Sequence, residues 1–368
     1  MSSAGSYVDR FERECAAAVG ADFGVAMTSG TTALHIALLL SNVKPGEEVI
    51  LPALTFVAPA NAVRYVDAWP TFIDIEPDYG QMDSARLEAF LREDCVFSRG
   101  VLKNRHTGRS ISAILPVHLL GHPTDLHPIQ ELGREFGLTV IEDATESIGA
   151  RYRGRPVGSC GSVAVLSFNG NKLLTTGGGG MLVTDSEELA EKARYLTTQA
   201  KDDPIESVHR RVGYNYRLTN LQAAIGCAQL EQLAAFIEAK RRIARRYEEE
   251  LVSLPGLTAM GEAPWAFSIF WMYTVRVNAG TFGGNRQVVA RSLAEQGIET
   301  RPLWQPLHRS PAHATSFACP CPVSDAFQRD ALSLPCSTGL TSSQQMRVIE
   351  AIRHYAAKQS TARSRSVG

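Results

Sequence analysis

Residues 167–180 read Ser-Phe-Asn-Gly-Asn-Lys-Leu-Leu-Thr-Thr-Gly-Gly-Gly-Gly, which places a single lysine, Lys172, between an apolar run and four glycines. An amine held in a tight turn after a buried strand can lose its proton and attack a carbonyl, whereas a lysine on a solvated helix keeps its charge. The pattern favours a Schiff-base lysine at residue 172. On this segment alone, a surface lysine beside a flexible glycine turn remains the alternative.

Short apolar and β-branched runs alternate with helical patterns through the first half of the chain. The predicted buried strands are residues 24–27, 48–51, 71–75, 111–117, 138–141, 163–168 and 181–184. The predicted crossover helices are residues 31–40, 58–66, 83–91, 126–136 and 186–196. This alternation predicts an α/β fold with a mostly parallel sheet.

The length of 368 residues exceeds what one small core needs and predicts a large domain and a smaller one. Residues 220–250 predict one long helix, apolar at first and then charged, which we interpret as the bridge between domains. Beyond it, strand-like residues 267–277, a helix near 287–296 and a Pro-rich stretch at 302–322 predict an α+β unit. We predict a large domain at 1–236, a small C-terminal domain at 237–357 and a disordered tail at 358–368.

Charge and composition exclude several classes of partner. The formal net charge is −1, from 37 basic and 38 acidic residues, which leaves no overall field for a nucleic acid or an anionic membrane. The seven cysteines form no CxxC pair and indicate reduced thiols. No apolar run approaches the roughly 20 residues of a membrane span, and the first residues lack a signal-peptide pattern. We predict a cytoplasmic protein with no nucleic-acid or membrane partner.

Two strand-to-helix junctions contain residues suited to binding a flat anionic ligand. Residues 27–34, Met-Thr-Ser-Gly-Thr-Thr-Ala-Leu, place hydroxyls and Gly30 where backbone N–H groups and the helix dipole can hold a phosphate. Ser29 or Thr31 serving only as a helix N-cap is the alternative. At the second junction, Phe56 can cover one face of a planar cofactor, although phenylalanine is more often a core residue.

The predicted strand 138–141 is followed by Glu142 and Asp143, at the edge where ligands bind in open α/β sheets. An aspartate there can pair with a protonated ring nitrogen and make the attached ring a better electron sink. Capping of the next turn is the alternative.

Three further patterns bear on ligand binding. Residues 213–220 are dense in hydrogen-bonding side chains and predict either a capped turn or a contact surface for a phosphate or a second subunit. His118 and His122 are four apart, but Gly-His-Pro predicts a turn, and we predict no metal site. The glycines at 177–180 do not fit GxGxxG, which argues against a dinucleotide site.

Taken in chain order, these motifs resemble the pyridoxal-phosphate-dependent nucleotide-sugar aminotransferases of the DegT/DnrJ/EryC1/StrS family over nearly the whole chain. The resemblance implies the fold-type-I aminotransferase architecture, a mostly parallel α/β sheet with helices on both faces and a smaller C-terminal α+β domain. It also implies pyridoxal 5'-phosphate as cofactor and a ping-pong transamination of a nucleotide-linked keto sugar, with L-glutamate as amino donor.

The resemblance further implies roles for individual residues. Lys172 would bind the cofactor as an imine and act as the base, and Asp143 would keep the pyridine nitrogen protonated. The implied cofactor-binding residues are Gly30, Thr31, Phe56, Asp143, Glu146, Ser167, Lys172 and Asn215. Asn215 is implied to reach the cofactor phosphate of the neighbouring subunit, which makes the protein a homodimer with shared active sites. The resemblance implies that Asn171 and His308 bind the substrate. The alternative for His308 is a buried or surface histidine in a Pro-rich loop that binds no ligand.

Glu146 and the Ser-Phe-Asn-Gly-Asn-Lys run are similar to the subgroup that aminates C-4 of UDP-4-keto-6-deoxy-N-acetylhexosamines for bacterial amino-sugar biosynthesis. Alternatives are a GDP- or dTDP-linked keto sugar, including a 3-keto sugar, and a non-catalytic ligand-binding protein of the same fold. A dehydratase of this fold would have histidine in place of Lys172. The family usually has a few dozen residues before the segment that resembles residues 3–12, so we expect a shortened N-terminal region, and the completeness of the sugar site and of folding stays open.

Overall fold

The structure is a computed structural model that describes residues 5–98, 100–203 and 205–366. Within these residues the helices are α1 (Ser6–Val19), α2 (Gly30–Leu40), α3 (Ala58–Tyr65), α4 (Ser84–Glu93), α5 (Leu126–Phe136), α6 (Glu187–Thr197), α7 (Asn220–Leu230), α8 (Leu233–Leu251), α9 (Ala279–Phe282), α10 (Arg286–Ala294), α11 (Pro322–Asp330) and α12 (Ser342–Ser366). The strands are β1 (Phe23–Met27), β2 (Glu48–Pro52), β3 (Trp69–Ile73), β4 (Cys95–Ser98), β5 (Val101–Asn104), β6 (Ile111–Ile114), β7 (Thr139–Asp143), β8 (Arg151–Tyr152), β9 (Arg155–Pro156), β10 (Val163–Ser167), β11 (Gly180–Thr184), β12 (Leu257–Ala259), β13 (Ala266–Phe267), β14 (Tyr273–Val277), β15 (Arg301–Pro302), β16 (Phe317–Ala318) and β17 (Ala331–Leu334).

An eight-stranded sheet occupies the centre of the molecule, in the order β1-β11-β10-β7-β6-β2-β3-β16. Strand β11 is antiparallel to both of its neighbours, and the other neighbouring pairs are parallel. All strands of this sheet except β11 therefore point the same way, and their carboxyl ends meet at one edge. The predicted α/β fold with a mostly parallel sheet is confirmed.

Helices cover both faces of the central sheet, which explains why its strands are apolar throughout instead of alternating. Val163 and Val165 of β10 pack in one core with α2 and α6, whereas Ala164 and Leu166 pack in another with α1 and α7. Successive side chains of a strand point to opposite faces, so a strand buried on both sides needs apolar residues at every position.

A second sheet in the order β12-β14-β17-β15 forms a separate core with α8, α10 and α12. Its pairs are antiparallel, as an α+β unit requires. The chain does not stay in this unit. Leu307 and Cys321 pack in the core of the central sheet, and β16 pairs with β3. The division at residues 236 and 237 stays a prediction.

Helix α11 is attached to the central sheet through a carboxylate. Asp74, directly after β3, accepts hydrogen bonds from the backbone N–H groups of Val323 and Ser324 at 2.9 and 2.8 Å. Segment 307–324 is thus held against the large sheet by a strand pair, by apolar contacts and by this cap.

Three sequence predictions differ from the structure. The predicted helix 220–250 is two helices, because α7 packs its buried face on α1, while α8 turns to pack on the small sheet. The predicted strand 267–277 is divided between β13 and β14, which belong to different sheets. The backbone remains helical through Ser366, although the sequence predicted a disordered tail from residue 358; residues 367 and 368 lie outside the described residues.

Candidate active site

The carboxyl edge of the central sheet brings three of the predicted motifs together. Strands β1, β7 and β10 end there at Met27, Asp143 and Ser167. A Cβ atom at Gly30 would lie 2.9 Å from the Cβ of Ser167, so the turn before α2 touches the end of β10. A Cβ at Gly180 would lie 2.3 Å from the backbone of Ser29. The last glycine of the 177–180 run is therefore required by close packing and does not form a loose turn.

The N-terminus of α2 forms a cradle for an anion. The Ser29 hydroxyl accepts a hydrogen bond from the N–H of Thr32 at 3.1 Å, so Ser29 is the N-cap of α2. This cap leaves the N–H groups of Gly30 and Thr31 without an intrahelical acceptor. Together with the half-positive helix end and the nearby Ser167 hydroxyl, these groups provide the donors that a phosphate needs.

The two carboxylates at the end of β7 have different environments. Glu142 is fully buried and accepts hydrogen bonds from four donors: the N–H groups of Gly158 (3.0 Å), Cys160 (2.8 Å) and Gly161, and Nε2 of His118 (3.1 Å). The Nδ1 atom of His118 accepts from the N–H of Thr124 at 3.0 Å, which places the proton on Nε2. Burial raises the pKa of Glu142, but the His118 and backbone donors outweigh burial and hold that pKa below its usual value.

Asp143 has fewer partners within the chain. Its Oδ1 accepts from the N–H of Thr145 at 3.0 Å, and its carboxylate is almost fully buried. Burial raises the pKa of Asp143, while the Thr145 hydrogen bonds and the positive charge of Lys172 act in the opposite direction. A cationic ring nitrogen beside Asp143 would favour its ionised form. Of the two carboxylates, Glu142 already accepts from four donors of the protein, whereas Asp143 has fewer donors and can accept from a ligand.

Lys172 is largely withdrawn from solvent, since its side chain is 12% exposed. Its Nζ atom lies 3.6 Å from Oε1 of Glu146 and 4.2 Å from the ring centroid of Trp271. Burial raises the pKa of Glu146, whereas the charge of Lys172 and the hydrogen bond from the N–H of Leu120 lower it. The alternative of a surface lysine is wrong.

Phe56 lies on the turn between β2 and α3 and is 48% exposed. Its ring meets Trp304 edge to face, with centroids 6.2 Å apart. The alternative that Phe56 is a core residue is wrong, because half of its surface is open to a ligand or a partner.

Asn171 and His308, the implied substrate-binding residues, have different surroundings. Asn171 lines a cavity of about 830 Å³, together with Trp271, Trp304 and residues of the small sheet. His308 is absent from the described lining of this cavity; its Nε2 lies 3.2 Å from Oδ1 of Asp325. Contact of either residue with a substrate stays a prediction.

Asn215 is exposed and lies next to the anion cradle of its own chain. It forms an isolated bridge with Thr198, and the neighbouring Tyr216 carbonyl accepts from the N–H of Thr28 at 2.8 Å. An exposed position leaves Asn215 accessible to a second subunit.

Sequence reasoning missed two residues that the structure brings to this site. Trp271 is about a hundred positions after Lys172 in a run that predicts a strand, and no spacing signal connects the two. The spacing of His118 and His122 suggested only a metal site, whereas Nε2 of His118 donates a hydrogen bond to Glu142. Among residues 5–98, 100–203 and 205–366, no group of three or more His, Cys, Asp or Glu side chains is placed to hold a metal ion. Within the same residues, every helix is too short or too polar to cross a bilayer.

The model of the DegT/DnrJ/EryC1/StrS aminotransferase family matches residues 1–353. The chain is 40% identical to a GDP-perosamine synthase of Caulobacter vibrioides over 96% of this chain and 91% of the relative. It is 36% identical to a UDP-N-acetyl-3-dehydro-alpha-D-glucosamine 3-aminotransferase of Acidithiobacillus ferrooxidans, over 93% of this chain and 86% of the relative.

Among solved structures, the fold is similar to DesV of S. venezuelae, whose crystal structure was determined in complex with a ketimine intermediate. The TM-score is 0.86 and the identity 34%, over 96% of this chain and 90% of DesV.

We predict that Glu142→Gln lowers the free energy of unfolding by about 1–3 kcal/mol at pH 7, because the amide NH₂ would face at least one of four buried donors. The folded-state pKa of Glu142 is lowered, so its stabilisation is complete above the unfolded pKa of about 4.3 and is lost as the pH falls through the folded value. The difference in the free energy of unfolding between wild type and Glu142→Gln should therefore become smaller as the pH falls.

Urea unfolding between pH 7 and the lowest pH at which both proteins fold measures this gap. Glu131→Gln, on the exposed side of α5, is the matched control and should stay within about 0.5 kcal/mol of wild type. Equal stability of wild type and Glu142→Gln at pH 7, or a gap independent of pH, would contradict the assignment.

Proposed function

The chain belongs to the DegT/DnrJ/EryC1/StrS aminotransferase family and is a pyridoxal-phosphate-dependent nucleotide-sugar aminotransferase. We propose that it aminates C-4 of a UDP-4-keto-6-deoxy-N-acetylhexosamine, with L-glutamate as donor, for a bacterial glycan amino sugar. The catalytic assignment is supported by the position of the largely buried amine of Lys172 at the same sheet edge as the buried carboxylate of Asp143. We also propose that the protein works as a homodimer in the cytoplasm.

The residues at the carboxyl edge fit pyridoxal 5'-phosphate. Gly30, Thr31 and Ser167 supply donors for its phosphate, because a helix N-terminus binds a phosphate without net charge. Asp143 would accept from a protonated pyridine nitrogen, and the half-exposed ring of Phe56 would cover one face of the cofactor. When bound, the cofactor withdraws electrons from the carbon atom whose proton is removed.

Each proposed residue has a separate task in the transfer. Lys172 would hold the cofactor through Nζ, and its amine, when free, would move a proton to and from the reacting carbon atoms. Asp143 would keep the ring nitrogen protonated by its negative charge. The α2 cradle and Ser167 would hold the phosphate and so keep the cofactor in register.

Two observations bear on the identity of the sugar substrate, and they favour different nucleotides. Glu146 and the run from Ser167 to Lys172 support the UDP-linked 4-keto sugar. A second candidate is a GDP-linked keto sugar, which is favoured by the 40% identity with a GDP-perosamine synthase. The cavity beside Asn171 has about 830 Å³, which is within the range of small-molecule sites. Its lining includes Arg301, which forms an ion pair with Glu299 at 2.6 Å, and Arg347.

We predict that the protein loaded with pyridoxal phosphate absorbs visible light and that glutamate removes this band. Borohydride reduction should attach the cofactor to the peptide that contains Lys172, and Lys172→Ala should lose about 10²–10⁴-fold or more in turnover. Peptide mass spectrometry identifies the lysine. Lys240 lines the cavity beside Asn171 and serves as an internal control. A cofactor adduct on Lys240, or full turnover in Lys172→Ala, would overturn the assignment of Lys172.

We predict that a panel of UDP-, GDP- and dTDP-linked 4-keto and 3-keto sugars separates the two candidates. With glutamate as donor, kcat/KM should be highest for the UDP-linked 4-keto-6-deoxy-N-acetylhexosamine. Formation of 2-oxoglutarate and the mass of the sugar product are the measurements. A GDP-linked sugar that exceeds the UDP-linked one by tenfold or more would establish the second candidate, and turnover of none of them would contradict amination of a keto sugar.

We predict that hybrid dimers reveal shared active sites. Lys172→Ala and Asn215→Ala should each be impaired alone, but a hybrid of the two would contain one site with both Lys172 and Asn215 intact. Co-expression with two different tags and tandem purification should therefore restore about half of the wild-type activity per hybrid dimer. If the activity per hybrid dimer is no more than half of the activity of the Asn215→Ala homodimer, Asn215 acts within its own subunit.

A further inference from the structure

Tyr214 and Tyr216, the residues on either side of Asn215, stack on each other. Their ring centroids lie 5.0 Å apart at an interplanar angle of 18°. Asn215 and Arg217 each form an isolated antiparallel bridge, so this stretch of the chain is extended. In an extended chain, side chains two residues apart lie on the same face, and the side chain between them lies on the opposite face. Asn215 is therefore directed away from the two tyrosine rings, in agreement with its exposure.

Both tyrosine rings pack on His35, which lies on α2 and is buried. The ring of His35 meets the ring of Tyr214 edge to face, with centroids 4.9 Å apart, and that of Tyr216 at 5.9 Å. Nδ1 of His35 also lies 3.3 Å from the Tyr216 hydroxyl, which is within hydrogen-bond distance. Aromatic pairs in such arrangements stabilise a structure beyond their burial alone. The three rings thus connect residues 214–216 to α2.

Backbone hydrogen bonds hold the same stretch on both sides. The carbonyl of Tyr216 accepts from the N–H of Thr28 at 2.8 Å, directly before the Ser29 cap of α2. The N–H of Tyr216 donates to the carbonyl of Thr197 at 3.0 Å. These bonds fix the backbone at Tyr216, and the rings hold the side chains next to Asn215.

The Asn215 side chain has no such support of its own. In the part of the chain that the structure describes, it neither donates nor accepts a hydrogen bond. Its orientation therefore depends on how firmly its two neighbours are held.

We propose that His35, Tyr214 and Tyr216 form an aromatic clamp, three positioning side chains that fix the orientation of Asn215. The proposal rests on the proposed function, in which Asn215 reaches the cofactor phosphate of the neighbouring subunit. A side chain that is already oriented loses less conformational freedom on binding, so the clamp raises the affinity for the phosphate. Because the clamp packs on α2, whose N-terminus forms the anion cradle of its own subunit, one helix supports donors to both phosphates of a dimer.

The first test measures the order of the clamped stretch in the full-length protein without cofactor. Hydrogen–deuterium exchange is followed by mass spectrometry in peptides that cover residues 214–218. His35→Leu and Tyr216→Leu should each speed exchange there about tenfold, because local opening costs less once the ring contacts are lost. Wild-type exchange in a folded variant would overturn the clamp.

The second test measures the Kd of pyridoxal phosphate and the Kd of pyridoxal, which lacks the phosphate, by equilibrium dialysis. Each clamp variant should bind pyridoxal phosphate about three- to tenfold more weakly and pyridoxal as the wild type does, because the clamp acts through a phosphate contact. In the Asn215→Ala background, Tyr216→Leu should cause no further loss, since residues that act through one contact are not additive. Equal weakening for both ligands, or a further loss of the same size in the Asn215→Ala background, would overturn the clamp.

Tyr355→Leu is the matched control. Tyr355 also stacks on an aromatic ring, that of Phe282 at 5.6 Å, and its hydroxyl donates to the carbonyl of Gly283 at 3.3 Å, but it packs in the core of the small sheet. This substitution should change neither the exchange at residues 214–218 nor either Kd.

Thermal unfolding reports whether each variant folds, and one folded clamp variant suffices. If neither leucine variant folds, Tyr216→Phe, which lacks only the hydroxyl, enters the same tests with an expected effect of about threefold. If the wild type does not bind pyridoxal phosphate, the proposed function is refuted and the role of Asn215 with it, while the exchange rates still show whether the rings order this stretch. Binding by the wild type with an unchanged Kd in a folded clamp variant would refute the clamp alone.

Discussion

The buried carboxylate of Glu142 joins three segments of the chain at the centre of the large sheet. It lies on β7, accepts from His118 after β6, and accepts from the loop at 158–161 before β10. A carboxylate is the one side chain of this size that presents acceptors only, so it satisfies four converging donors without leaving one unpaired. The neighbouring Asp143 points to the other face of the strand, and its position depends on this anchor.

The sequence predicted the part of the site that follows from local pattern. The seven predicted strands are present, and the carboxyl edge collects Gly30, Asp143 and Ser167 because parallel strands end together. Lys172 was recognisable because its turn carries a local signature of apolar residues and glycines. Phe56 was ambiguous in the sequence, since an aromatic residue after a strand is apolar whether it packs in a core or faces a ligand.

The features of the fold and site that the sequence did not predict depend on contacts between distant parts of the chain. Nothing near Trp271 indicates that its indole meets Lys172, and the hydrogen bond from Leu120 to Glu146 arises only after residues 118–124 have folded over the sheet edge. The break between α7 and α8 had no Pro or Gly to signal it. The start of α8 packs on the same core as α7, and only its later turns pack on the core of the small sheet. Family membership establishes the cofactor, but not the sugar, because the chain is similar to relatives named for a GDP-linked and for a UDP-linked sugar.

The chain crosses between its two sheets more than once, and this constrains how they can move. It passes to the small sheet through α8, returns to pair β16 with β3 and to receive the Asp74 cap on α11, and then leaves again for β17. A unit tethered at several separate points cannot swing on a single hinge. The separate connections therefore restrict how far the small sheet can move relative to the central sheet, and with it how far the cavity beside Asn171 can change in width.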